Sequence, residues 1–188
     1  MICKSQTVIK NLNNQVFYLG IENPVHIITD SDTICGGKIH YSESVEIKKD
    51  SNNCIYYITP KSKIKPAIIY VKNHKIDFTN NIQLTPDPVW MRNIQNGYLS
   101  RKIIDKDAGL IMHQPYFNYD TRYSVESIFI RVMRNNKLVY TETAKRGRFS
   151  QNFKEALKKD DIVVFTNILI NAPEGKRILD EISFKIKN

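Results

Sequence analysis

Short runs of β-branched and aromatic residues, each cut off by turn chemistry, limit what this chain can fold into more than any other feature. In the first half such runs occupy residues 15–19 (QVFYL), 25–29, 54–59 and 67–72. Val45 and Ile47 alternate with polar neighbours at period two. Between the runs stand Gly20 to Pro24, Asp30-Ser31-Asp32, Gly36-Gly37, Pro60 to Lys63 and Asn73-His74, all turn-forming combinations. No segment of this half carries a 3.6-residue apolar period. Such a pattern predicts antiparallel sheets stacked face to face.

Residues 83–89 (QLTPDPV) break the pattern. Two prolines at spacing two remove backbone donors and hold the chain extended, which suits a boundary better than a central strand. The expected domains are therefore 1–84 and 85–188. The second half differs in having helical signals. Ser100 is placed to cap a short helix over 101–106, ended by Gly109. Residues 123–134 form the clearest strand, with Ser124, Glu126 and Ile128 alternating with Val125, Ser127 and Phe129. Asn135-Asn136 predicts a tight hairpin turn, with 137–143 as the returning strand. Ser150 then caps a helix around residues 151–158, whose apolar stripe is Phe153, Ala156 and Leu157 and whose end is marked by Lys158-Lys159. Strands over 162–170 and 182–186 close the sheet. The expectation is a mainly β protein: two β-sandwich domains in tandem, the second with one short α-helix around residues 151–158.

The chain of 188 residues carries a net charge of +9. Residues 1–84 hold 10 Lys against 7 acids, and residues 85–188 hold 18 Lys and Arg against 12. An excess spread over both halves does not predict a nucleic-acid face, which concentrates its cations. Three cysteines, Cys3, Cys35 and Cys54, form no CxxC pair and predict no zinc site. Cys35 and Cys54 read equally well as a cross-strand pair or as two buried thiols. No run approaches the roughly 20 apolar residues that span a bilayer. Cys3, followed by Lys4-Ser5, allows a lipid anchor near the N-terminus.

Catalytic signatures are missing: no GxSxG, HExxH, GxxxxGK[ST] or GxGxxG is present. His26, His40, His74 and His113 show no metal-ligand spacing. Asp30-x-Asp32 fails as a calcium loop because Ile34 stands where an oxygen ligand belongs. Asp105-Lys106-Asp107 and Asp160-Asp161 read as surface turns beside lysines. The expected protein is not an enzyme and needs no cofactor or metal. Its most distinctive charged feature is Lys145-Arg146-Gly147-Arg148 with Lys154 downstream, the expected contact for an acidic protein partner. Trp90, beside Met91-Arg92, suits a domain core or an interface anchor.

Several short motifs occur in a fixed order. They are Pro86-Asp87-Pro88-Val89, Gly109-Leu110, Phe117-x-Tyr119, Tyr123-x-Val125, Phe129 and Gly147-x-Phe149. Asp160-Asp161 before Val164-Phe165, Pro173-x-Gly175 and 182–186 (ISFKI) complete the series. Together they resemble the last domain of the GldM and PorM family of gliding-motility and type IX secretion proteins. Residues 16–25, with Gly20 and Asn23-Pro24, resemble the opening of the preceding domain in that family. The resemblance implies two immunoglobulin-like domains in the periplasm of a Bacteroidetes-type bacterium. It implies a non-catalytic role in the cell envelope, contacting outer-membrane-associated ring components. A homodimer is one further expectation, although other shaft segments of that family contribute to pairing. The alternative expectation is a stand-alone envelope lipoprotein or adhesin-like structural protein built from such domains.

Overall fold

Alternation becomes structure most plainly in the strand Asn23–Thr29, where every second side chain is buried. The computed structural model describes residues 7–29, 32–90, 97–106, 109, 112–113, 117–119 and 121–187. The protein is mainly β, with two short α-helices among the described residues. It divides into two units: Met1–Thr85 with Asn118–Asp120, and Pro86–Phe117 with Thr121–Asn188.

The first unit contains β1 (Thr7–Asn11), β2 (Phe17–Tyr18), β3 (Asn23–Thr29), β4 (Asp32–Thr33) and β5 (Ile39–Tyr41). It continues with β6 (Val45–Lys49), β7 (Tyr56–Pro60), β8 (Ile68–Val71), β9 (His74–Asp77) and β10 (Ile82–Gln83). One sheet runs β1-β3-β7-β6, with β4 added on β3; a second runs β5-β8-β9. β2 and β10 form a short parallel pair. Val25, Ile27, Val45, Tyr56 and Ile58 of the larger sheet share one core with Ile69 and Val71 of the smaller. The two sheets are thus layers of a sandwich, each contributing its inward residues. Strand β1 escapes the sequence reading because its inward residues Thr7, Ile9 and Asn11 are only half-buried and two of the three are polar. Residues 118–120 cluster with this unit, where the Tyr119 ring meets Tyr18 edge-on at 5.4 Å.

The second unit contains β11 (Val89–Trp90), β12 (Tyr98–Ser100), α1 (Arg101–Lys106), β13 (Met112–His113), β14 (Ser124–Arg134) and β15 (Lys137–Lys145). It ends with α2 (Gln151–Ala156), β16 (Ile162–Ala172), β17 (Gly175–Leu179) and β18 (Ile182–Lys187). The main sheet has the order β12-β18-β16-β14-β15, with β17 added on β16. Its inner face carries Ile128, Ile130, Val132, Val163, Phe165, Ile170 and Phe184. Ile104 of α1, with Phe153 of α2 and Leu157 just beyond it, packs into the same core. Each fully buried aromatic or aliphatic side chain here contributes about 2–3 kcal/mol. Asn135 and Asn136 both adopt positive φ, 49° and 59°, as a tight turn between β14 and β15 requires.

Two expectations need correction. The strict alternation over 124–129 puts Val125 and Ile128 on opposite faces, yet both are buried. Register shifts against β16 between Val125 and Ser127, and again between Ser127 and Phe129, return the second apolar set to the core. The helix around 151–158 is shorter, Gln151–Ala156, with Leu157 already extended. Its C-terminal carbonyls are not met by Lys158-Lys159. Arg101 donates to the carbonyls of Leu157 and of Lys154, the latter at 3.0 Å, and Arg134 donates to that of Ala156 at 2.8 Å. Guanidinium groups from α1 and β14 therefore close the helix.

Candidate functional site

The basic segment occupies the turn that leaves β15. Lys145 ends the strand opposite Ser127. Arg146 and Gly147 then both take positive φ, 54° and 66°. The turn is held by two backbone bonds, from Arg146 N to Glu126 O at 2.8 Å and from Arg148 N to Lys145 O at 3.1 Å. Behind it Gly109 bridges to Arg148, and a Cβ added at Gly109 would lie 2.1 Å from the Gly147 carbonyl oxygen. Only glycine permits that backbone approach. The geometry therefore fixes Lys145, Arg146 and Arg148 as exposed cations on a rigid turn.

Their electrostatic setting differs from that of four arginines elsewhere in the second unit. Arg101 pairs with Asp105, Arg131 with Glu181, Arg134 with Asp161, and Arg177 with Asp87 and Glu174. Among the described residues no carboxylate pairs with Lys145, Arg146 or Arg148. Arg146 also lines a groove of about 660 Å³ together with Tyr123, Glu126, Asn171 and Lys176. Within that groove Lys176 already engages Glu126 at 2.7 Å, so among the described groove residues Arg146 is the cation without a carboxylate partner.

Lys154 is not part of this constellation. Its ammonium donates to the Asp105 carbonyl at 3.1 Å, and it lines a smaller groove with Arg101, Asp105 and Glu155. The four cations that are near neighbours in sequence thus fall into two surroundings, because α2 turns Lys154 toward α1.

Asp160-Asp161 also differs from the expected pair of surface acids. Asp160 is exposed and pairs with Lys185 at 3.0 Å. Asp161 is completely buried. It accepts both Arg134 bonds, at 2.8 and 2.7 Å, and the Lys158 backbone N–H at 2.8 Å. Burial pushes its carboxyl upward; the Arg134 bonds, the Lys158 N–H and the nearby positive charge outweigh burial and hold it below the usual range. This is a structural clasp between β14 and the end of α2. The sequence signal for it is slight: an Asp immediately before a buried strand, with Arg134 at the end of the partner strand.

In the first unit Cys35 and Cys54 form a disulfide, so of the two readings left open by the sequence the pair is realised. Neither cysteine is fully buried. The bond closes a loop that contains β5 and β6, one strand from each sheet. Cys3 lies outside the described residues, as do Met91 and Arg92; Trp90 lies on β11, which pairs with β13. Among the described residues no helix is long and apolar enough to cross a membrane. No protein-family model and no curated protein matches the chain.

Proposed function

We propose that this chain is a non-catalytic protein-interaction module of the cell envelope, of the kind the GldM and PorM resemblance implies. Its partners on this reading are components of a type IX secretion or gliding-motility ring beneath the outer membrane. The observation that carries the interaction role is the turn Lys145-Arg146-Gly147-Arg148. A rigid, exposed group of cations that pairs with no carboxylate among the described residues is suited to an acidic partner surface, where opposed charges speed encounter and fix register. The Cys35–Cys54 disulfide supports an oxidising compartment such as the periplasm. Lys154, held against α1, is left out of the contact.

The test is co-isolation of the chain with envelope ring proteins from a secreting bacterium, comparing the native protein with the R146E/R148E variant. The expected result is loss of co-isolation in the variant with unchanged thermal unfolding. Unchanged co-isolation overturns this contact.

A further inference from the structure

Strand β15 lies at the end of the sheet path and, among the described residues, is bonded on one side only, to β14. It is nine residues long. The edge strands β1 and β6 of the first unit's larger sheet have five residues each, and β12, at the far edge of the same sheet, has three. An edge strand presents unpaired N–H and C=O groups as a template for another chain, and most proteins keep such edges short or covered. Among the described residues, the backbone of residues 138–144 bonds only to β14. Leu138 and Val139 are 56% and 44% exposed, and Thr141 and Thr143 are exposed beside them. This is a long edge with β-forming side chains, on which α2 meets Tyr140 through Phe153 and Glu142 through its cap Ser150 while Leu138, Val139, Thr141 and Thr143 stay exposed.

Charge selects among possible occupants. Both ends of β15 are lysines, Lys137 and Lys145, and Arg146 and Arg148 follow directly. Its one acid, Glu142, is engaged by Ser150 and by the Tyr140 hydroxyl. Antiparallel pairing of two β15 edges would bring the Lys137 end of one copy against the Lys145–Arg146 end of the other, and like charges across strands are destabilising. A second copy of the chain is therefore a poor fit.

We infer that β15 is a docking strand that adds an extended segment of a partner protein to the sheet. The segment has a centre of β-branched or small polar residues and acidic residues at both ends, facing Lys137 and the Lys145–Arg148 turn. Backbone bonds supply much of the affinity in this mode, and the flanking charges supply register. The inference rests on the reading of the chain as a protein-interaction module and names how it engages its partner.

The probe is a blocked synthetic peptide with a Thr-Val-Thr-Val-Thr centre and a pair of Glu residues at each end. Binding is read by fluorescence anisotropy, and its location by amide hydrogen exchange of the whole chain. The expected result is slowed exchange confined to residues 137–145. A peptide with Lys in place of Glu binds about ten-fold or more weakly, since several opposite-charge pairs become like-charge pairs. N-methylation of alternate peptide amides abolishes binding. The K137E/K145E variant, whose changes lie at exposed strand ends, reverses the preference between the two peptides. Absence of protection overturns the inference, as does equal protection by the Lys or N-methylated peptides. Protection of β15 that rises with protein concentration alone also overturns it, because the occupant is then a second copy. Loss of ring-protein co-isolation in R146E/R148E without peptide protection of β15 keeps the broader reading and overturns the docking strand. Protection of β15 with co-isolation unchanged keeps the docking strand and overturns the basic turn as the contact for the ring proteins.

Discussion

Among the described residues, one polar side chain in each unit is completely buried, and the two are satisfied by opposite means. In the first, Asn23 donates to the carbonyls of Tyr18, Ile21 and Ile58 at 3.0, 2.8 and 3.0 Å, and its oxygen accepts the Tyr18 N–H at 2.9 Å. Its partners are all backbone groups, so a neutral amide ties the 18–21 turn to β7. In the second, the ionised Asp161 ties β14 to the end of α2 through Arg134 and the Lys158 N–H. Both side chains fill their hydrogen-bonding capacity well, which is what makes such burial tolerable. The difference is that one clasp is insensitive to acid and the other depends on a charge.

The largest expected effect comes from breaking the charged clasp. Asp161→Ala leaves a partly buried guanidinium without its carboxylate and should cost about 3–5 kcal/mol. The native carboxyl titrates below its unfolded value, so its contribution is complete above the ordinary Asp range, near about pH 4, and is lost as pH falls through the lower folded value. Acid should therefore loosen the second unit through Asp161, and the Ala variant should lose that part of the dependence. Amide exchange across the second unit between pH 2 and 6 checks both points. A native pH slope retained in the variant would remove Asp161 from the account.

Breaking the neutral clasp is expected to cost nearly as much. Asn23→Ala removes four hydrogen bonds to backbone groups, and at about 1 kcal/mol for each lost bond the loss is about 3–4 kcal/mol. Asn23→Asp sharpens the comparison: a carboxylate cannot donate to three carbonyls, so it should destabilise at neutral pH and recover partly on protonation. The first unit would then acquire an acid dependence of opposite sign to that of the second. Chemical denaturation of the two variants at pH 4 and 7 measures this.

Third comes the disulfide. Its 19-residue separation implies about 3 kcal/mol of stabilisation from restricting the unfolded chain. Reduction, or C35A/C54A, should speed amide exchange in the first unit and leave the second unchanged. Equal effects in both units would break the picture of two separately stabilised cores.

The physical basis of these clasps explains how much was legible beforehand. Strands such as 25–29 and the Asn135-Asn136 turn rest on local chemistry, periodicity and backbone preference, and sequence carries both. The break at Pro86 and Pro88 is local chemistry too, and the two units divide after Thr85. Asp161 was read as a surface acid because its surroundings come from residues distant in sequence, above all Arg134. The bulges at 125–129 and the guanidinium caps on α2 are tertiary in the same sense. For the basic segment, sequence gathered Lys145, Arg146, Arg148 and Lys154 by proximity. Only the path of α2 shows that Lys154 faces α1, and only the sheet order shows that β15 is an edge.

The smallest expected effect tests the one helix start that was fully legible. The Ser150 hydroxyl accepts the Phe153 N–H at 3.0 Å, as an N-cap should, and also engages Glu142, which accepts from the Tyr140 hydroxyl at 2.7 Å. Loss of the cap in Ser150→Ala should cost about 1 kcal/mol. Aspartate is ordinarily an equally good cap, but here Ser150→Asp would set a second carboxylate against Glu142. The expected order of stability is therefore Ser, then Ala, then Asp at neutral pH. Adding Glu142→Gln should restore Asp close to Ser, because the amide removes the like charge and can donate. If Ser150→Asp proves as stable as the native protein with Glu142 intact, the Ser150–Glu142 contact is not what orients this corner of the second unit. Thermal unfolding of the native protein, the two single variants and the double variant at pH 7 decides the point.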